Sequence, residues 1–251
     1  RSFSALLLSA LLTCSSLSAA WNPLNTGLIS SRSMTSHAGD LYAACFPTGI
    51  QKSINGGITW TQVNTGLPQS AGNYYVRSVG SNGTWLFVGT ESGVYRSDNG
   101  GATWANTNGS LTASSTVYAN RFYNFGGVTM AMFAGTIANG GGIWRTSTGS
   151  SWSIGHSGMG SNAVVNHLKQ VGTSLYASTS VGLFKSLDNG LSWTAVASAN
   201  YATFALAESN GNLPINCTLG IRYSTNNGAR WLDATGDTSN PTSGDLMPFH
   251  G

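Results

Sequence analysis

The 251-residue chain sets 11 Lys and Arg against 8 Asp and Glu, a net charge of +3, and only 8% of its residues are charged. The few basic residues are spread along the chain with no run that could neutralise several phosphates, which excludes a nucleic-acid partner. A hydrophobic content of 41%, with 8 Trp, excludes a disordered chain, and the 33 Gly point to a turn-rich, all-β domain.

Residues 1–20, RSFSALLLSALLTCSSLSAA, hold an apolar stretch from Phe3 to Leu12 followed by small residues, with Ser18 and Ala20 placed for cleavage. This reads as a secretory signal, too short to span a bilayer, so an exported protein without a transmembrane segment is expected. Cys14 follows Thr13, where a lipid-attachment site would have Gly, Ala or Ser, so cleavage after Ala20 is expected rather than lipid anchoring. Cys45 and Cys217 lie in apolar runs and are expected to be separate buried thiols rather than a disulfide.

From residue 21 onward the chain repeats itself. SINGGITW ends at Trp60, SDNGGATW at Trp104, SLDNGLSW at Trp193 and STNNGARW at Trp231, while TSTGSSW, ending at Trp152, is a copy one residue short. Together with Trp21 these tryptophans are spaced 38 to 48 residues apart, the length of a four-stranded unit. Each box follows two apolar runs separated by a Gly-containing turn, as in LFVGTESGVYRS, a hairpin pattern with a weaker strand before it. Outside the signal no segment has helical periodicity over three turns.

The box Ser-x-Asp/Asn-x-Gly-x-x-Trp resembles the Asp-box, or BNR repeat, of sialidase-like β-propellers. GVYRSDNGGATW is most similar to the propellers of photosystem II assembly factors, xyloglucan hydrolases and the luminal part of sortilin. The resemblance covers nearly all of residues 21–251 and implies an all-β propeller of four-stranded antiparallel blades. Five blades are expected, preceded by a lone strand at Trp21, because WNPLNTGL there matches WTQVNTGL at Trp60. The repeat count further suggests a larger ring, of six or seven blades, that the sequence does not complete.

In that family the box joins the third and fourth strands of a blade, on the face opposite the ligand site. Structural roles are therefore expected for Ser53, Asn55, Gly57 and Trp60; Ser97, Asn99, Gly101 and Trp104; Ser186, Asp188, Gly190 and Trp193; and Ser224, Asn226, Gly228 and Trp231. The basic residues Lys52, Arg96, Arg145 and Lys185 stand immediately before their boxes, with Arg222 one residue earlier in the fifth copy, a repeated position rather than a patch.

The resemblance assigns function to the loops on the other face and to the innermost strands. These offer Tyr74, Tyr75, Tyr118, Arg121, Tyr201 and Asn166 as binding candidates, with His156 and Glu91 nearby. Superposing LYAAC on LFVGT sets Arg32 over Arg77, with Tyr123, Asn166 and Ala205 in the same place in later copies, and two neighbouring Arg would suit a carboxylate or sulfate.

No Arg-Ile-Pro signature of sialidases occurs, and no pair of carboxylates from facing loops has the spacing of a glycosidase, leaving Glu91 and Asp237 as the weak catalytic candidates. His37, His156, His167 and His250 lack metal-site spacing, and neither metal nor cofactor is expected. The expectation is a monomeric, exported binding propeller that recognises a glycan or a protein. A glycoside hydrolase fragment and a photosystem assembly factor stand as the alternatives.

Overall fold

The computed structural model describes residues 30–109, 111, 119–134 and 137–234. The signal at 1–20 with Cys14, the strand expected at Trp21, and Tyr118 and Asp237 lie outside the described residues.

Five four-stranded antiparallel sheets follow one another along the chain, each a simple meander. The first holds β1 (Ser31–His37), β2 (Asp40–Cys45), β3 (Gly49–Ser53) and β4 (Thr61–Gln62). The second holds β5 (Val76–Ser81), β6 (Leu86–Thr90), β7 (Gly93–Ser97) and β8 (Ala105–Asn106). In the third, β9 (Ala119–Phe125) and β10 (Val128–Phe133) are joined to β11 (Gly142–Thr146) and β12 (Ser153–Ile154) through a 3-10 turn at Ile137–Asn139. The fourth comprises β13 (Val165–Val171), β14 (Ser174–Thr179), β15 (Gly182–Ser186) and β16 (Thr194–Ala195). The last comprises β17 (Thr203–Leu206), β18 (Leu213–Cys217), β19 (Gly220–Ser224) and β20 (Leu232–Asp233). Each fourth strand is two residues long, which leaves little free edge for pairing with another chain.

The hydrophobic core lies between the sheets. Tyr42, Ala44 and Ile50 of the first pack with Val76, Val79, Leu86 and Val88 of the second. The same pattern joins the second to the third, the third to the fourth and the fourth to the fifth. The innermost strands stand side by side, β1 against β5, β5 against β9 and β13 against β17.

The four full boxes fold into one turn. Ser53 Oγ donates to Asn55 Oδ1 (3.0 Å) and accepts from the Gly57 amide (2.8 Å), while the Thr59 amide donates back to Asn55 Oδ1 (2.9 Å). The bonds repeat at Ser97, Asn99 and Gly101, at Ser186, Asp188 and Gly190, and at Ser224, Asn226 and Gly228. Two consecutive residues are left-handed in each turn, Gly56 and Gly57 in the first copy but Asn189 and Gly190 in the fourth, so the glycine named in the box is only half of the reversal. The short copy keeps part of the pattern, with the Gly149 amide donating to Thr146 Oγ1 at 2.9 Å.

Two of the tryptophans that end a box lock onto the preceding sheet. Trp104 donates its amide to the Thr65 carbonyl (2.9 Å) and its indole N–H to the Val63 carbonyl (2.7 Å), both just past β4. Trp193 does the same to Ser157 (2.9 Å) and Gly155 (2.8 Å), past β12. Tyr42 and Tyr176, in the second strands, reach forward to the next box turn and donate to the carbonyls of Gly100 (2.8 Å) and Asn227 (3.0 Å). Trp60, by contrast, is half-buried and its indole turns back to its own Gly57 carbonyl (3.0 Å).

Three of the basic residues before the boxes pack on aromatic rings. Lys52 sits over Tyr42 and Lys185 over Tyr176, each directly opposite its partner on the neighbouring strand, and Arg96 lies over Trp85. Arg222 departs from this set. The register gives its place to Tyr223 and turns Arg222 to the other face, where it meets Asp233 at 2.6 Å and the ring of Tyr201.

Cys45 and Cys217 are free, buried thiols, and burial pushes both pKa values up. They occupy the last residue of a second strand, a position held in other sheets by Thr90 and Thr179, whose hydroxyls donate across the turn to Gly93 and Gly182. Cys217 Sγ makes the same bond to the Gly220 carbonyl.

Asp188 is the one carboxylate among the described box turns at this position. Hydrogen bonds from the Ser192 hydroxyl and amide, then from Ser186 and Leu191, hold its pKa down to about 2. A depressed carboxylate contributes stability that is present above its ordinary range near 3.8 and is lost as pH falls towards about 2. Because Asp188 is exposed, the contribution is expected to stay below about 1 kcal/mol. Asp188→Asn, which restores the residue of the other boxes, should flatten the fall in melting temperature between about pH 4 and about pH 2. Parallel curves for the two proteins would contradict this.

Candidate functional site

All five innermost strands carry a β-bulge at the same register. The extra residue is Arg32 in β1, Arg77 in β5, Asn120 in β9, Asn166 in β13 and Phe204 in β17. A bulge puts two residues opposite one, increases the twist and re-aims the side chain at that point. The alignment of Arg32 with Arg77 and Asn166 therefore stands in the register, but Tyr123 and Ala205 do not share that place. In the third sheet the look-alike run MFAGT invites a three-residue slip, whereas the ladder sets Thr129–Phe133 opposite Gly142–Thr146. In the fifth, the bulge moves the position by one residue to Phe204.

Beside these bulges a central groove of about 470 Å³ is lined by β1, β5, β9 and His167 of β13. Its walls hold Arg32 and Arg121 with Phe122, Tyr123, Asn120 and Asn124, and no Asp or Glu is among the described residues that line it. Arg32 is exposed and its guanidinium lies 5.2 Å from the centre of the Phe46 ring. Tyr123 stacks on Phe125 and meets the His167 ring edge-on. The described lining thus sets two guanidinium groups, a type of donor that suits anions, beside aromatic faces.

The other candidates are divided between the rim and the scaffold. Tyr75 packs at a tilt against Phe46, ring centres 5.4 Å apart, and together with Glu91, Gln69 and Pro68 it walls a second cavity of about 300 Å³. Glu91 is bonded by the Arg77 guanidinium, which ties together the catalytic candidate and one of the two aligned arginines. Tyr74 is half-buried in the core between the first two sheets, and its amide donates to the Pro47 carbonyl. Asn166 donates to the Thr203 carbonyl of the next sheet at 2.8 Å. Tyr201 packs in the core of the last two sheets, under Arg222, and burial raises its pKa.

One recurring group escaped the sequence reading. After β4, Asn64 accepts from the Ile50 amide through Oδ1 (2.7 Å) and donates through Nδ2 to the Thr48 carbonyl (2.8 Å). After β8, Asn108 clamps Val94 and Ser92 in the same way. After β12 the place is taken by His156, whose Nδ1 lies 2.8 Å from the Ile143 carbonyl oxygen and 3.2 Å from its amide nitrogen. The two asparagines hold the turn between second and third strands against the loop leading to the next sheet, whereas His156 is bonded only to Ile143 within β11. The phrases NTGL and NGSL carried the signal, at the same distance past the box.

No protein-family profile matches the chain and no curated protein matches it. Solved structures do. The GH74 xyloglucanase of Xanthomonas campestris superposes with a TM-score of 0.60 at 16% identity over 84% of this chain and 39% of its own. YCF48 bound to D1 peptide superposes at 0.58 with 14% identity over 83% of this chain and 68% of its own, and the extracellular domain of a one-component system from B. thetaiotaomicron at 0.58 with 16% identity over 83% and 28%. The fold is that of a β-propeller. The chain spans about two fifths of the length of the xyloglucanase. Among the described residues no helix is long and apolar enough to cross a membrane.

Proposed function

We propose that this propeller is an exported, non-catalytic binding module that takes an acidic ligand, carried by a glycan or a protein, in its central groove. The observation that carries this reading is the groove's lining, with Arg32 and Arg121 beside Phe122 and Tyr123 and no carboxylate among its described residues. A carboxylate entering there meets charge-assisted donors, and the neighbouring rings offer a stacking surface. The propellers it superposes on include one solved with a peptide and one named as a glucan-cleaving enzyme, so both ligand classes suit the scaffold. Binding is favoured over hydrolysis because Glu91 is engaged by Arg77 and no second carboxylate is among the described residues lining either cavity, whereas a glycosidase needs two flanking one bond.

Titration with acidic oligosaccharides and acidic peptides, each against a neutral counterpart, tests the reading. Arg32→Ala combined with Arg121→Ala is expected to weaken the acidic ligand by at least about tenfold, since a hydrogen bond to a charged group contributes about 1.5–3 kcal/mol, while the melting temperature is retained. Undiminished binding would remove the groove from consideration. Glycan cleavage abolished by Glu91→Gln would replace the reading with an enzymatic one.

A further inference from the structure

The loop from β4 to β5, GLPQSAGNYY at 66–75, carries no charge, and its own backbone fixes its shape. Its tip reverses through Ala71 and Gly72, at φ of +50° and +77°, between Ser70 and Asn73, whose amides each donate to the other's carbonyl at 3.0 Å. Two further bonds anchor its end, from the Tyr74 amide to the Pro47 carbonyl (2.9 Å) and from the Glu91 amide to the Tyr75 carbonyl (3.2 Å). The turn after β6 is closed by Thr90, whose Oγ1 accepts from the Ser92 amide and donates to the Gly93 carbonyl, both at 3.0 Å. This loop and this turn supply the described walls of the cavity of about 300 Å³, which shares none of its described lining residues with the central groove.

We infer that this cavity is a sugar subsite, seating one neutral pyranose ring against Tyr75. A pyranose presents a face of C–H groups and an edge of hydroxyls that both donate and accept. The Tyr75 ring answers the face, because its electron-rich surface attracts the slightly positive C–H groups. Phe46, outside the described lining, packs against that ring and supports it from behind. The hydroxyl edge is answered by Gln69, whose amide donates and accepts, and by Ser70 and Ser92, all three exposed on the cavity wall. Glu91 bonds the Arg77 guanidinium through Oε1, and a carboxylate has lone pairs beyond those one such bond uses. Charge decides the class of ligand. Glu91 is the charged residue among the described lining and Arg77 balances it, so the site calls for neither a cation nor an anion. Size sets the limit, since the volume falls at the lower end of small-molecule sites, about 300–1,000 Å³, and suits a single ring. With the walls already held by backbone bonds, little ordering remains to oppose so small a ligand.

Methyl glycosides of gluco, galacto and manno configuration, with adenosine as a flat-ring control, test this by saturation-transfer NMR and by the shift of the Tyr75 ring protons. All the probes are uncharged, so the result stands apart from the acidic group proposed for the groove. At least one glycoside is expected to bind at millimolar concentration, to move the Tyr75 resonances and to receive its strongest saturation on the C–H face. Tyr75→Ala should weaken it by about two- to tenfold, the contribution of one aromatic contact. Gln69→Ala should weaken it by about two- to tenfold, the contribution of one hydrogen bond. Gln69 is exposed, so that variant decides the matter if Tyr75→Ala fails to fold. No glycoside binding, an affinity unchanged in Gln69→Ala, or adenosine moving the Tyr75 ring more strongly than every glycoside would overturn the subsite.

Discussion

Trp104→Ala should cost about 3–5 kcal/mol, the range for truncating a buried large aromatic side chain, and move the denaturant midpoint accordingly. Trp104 is 4% exposed in the cluster that joins the first two sheets, and its indole N–H is bonded to Val63 of the preceding sheet. Truncation opens a cavity and leaves the Val63 carbonyl without its donor, so two costs add. Trp193→Ala should match it, because Gly155 takes the role of Val63. Trp60→Ala should cost less than half as much, since that ring is half-buried and bonded only within its own turn. Equal losses at all three would mean that the tryptophan stabilises its own hairpin and not the joint between blades.

Gly66→Ala is the second large expectation. Gly66 has φ of +92°, and an added Cβ would sit 2.2 Å from the Trp104 carbonyl oxygen, a backbone atom that cannot swing aside. Left-handed strain costs alanine about 1–2 kcal/mol, and the overlap forces the two sheets apart, adding about 1–3 kcal/mol. Gly158, at φ +94° and 2.2 Å from the Trp193 carbonyl, is its counterpart. Gly83→Ala supplies the control: φ is +88° but nothing lies within 4 Å, so only the strain remains. Thermal melts of the three should rank Gly66 and Gly158 together, well below Gly83. A Gly66→Ala protein no less stable than Gly83→Ala would show that the close approach relaxes without cost.

What the sequence made legible follows from how each feature is encoded. Box residues are contiguous, and a Ser, Asn or Asp, Gly and Trp at set spacing have one way to satisfy a tight turn, so fold class and hairpin order could be read directly. The partner of Trp104 could not, because the bond runs to Val63, 41 residues earlier, and backbone carbonyls carry no sequence signature. Arg32 and Arg77 were found by superposing repeats, yet only the register showed the bulge that sets their common place. Their fates then diverge through neighbours the alignment ignored, Phe46 beside one and Glu91 beside the other. Asn166 has the matched position but is spent on Thr203, and His156, placed by the sequence beside the binding candidates, is bonded to Ile143 of β11.

The recurring bulge also separates two kinds of information within a strand. Pairing and burial depend on the alternating residues on either side, which must fit the neighbouring sheets. The looped-out residue has no place in the ladder, and the five blades fill it with Arg, Arg, Asn, Asn and Phe without altering the pairing around it. The propeller thus presents a ring of positions in which charge, hydrogen-bonding and aromatic character vary one blade at a time, so a change of recognition can proceed by single substitutions while the framework stays as it is.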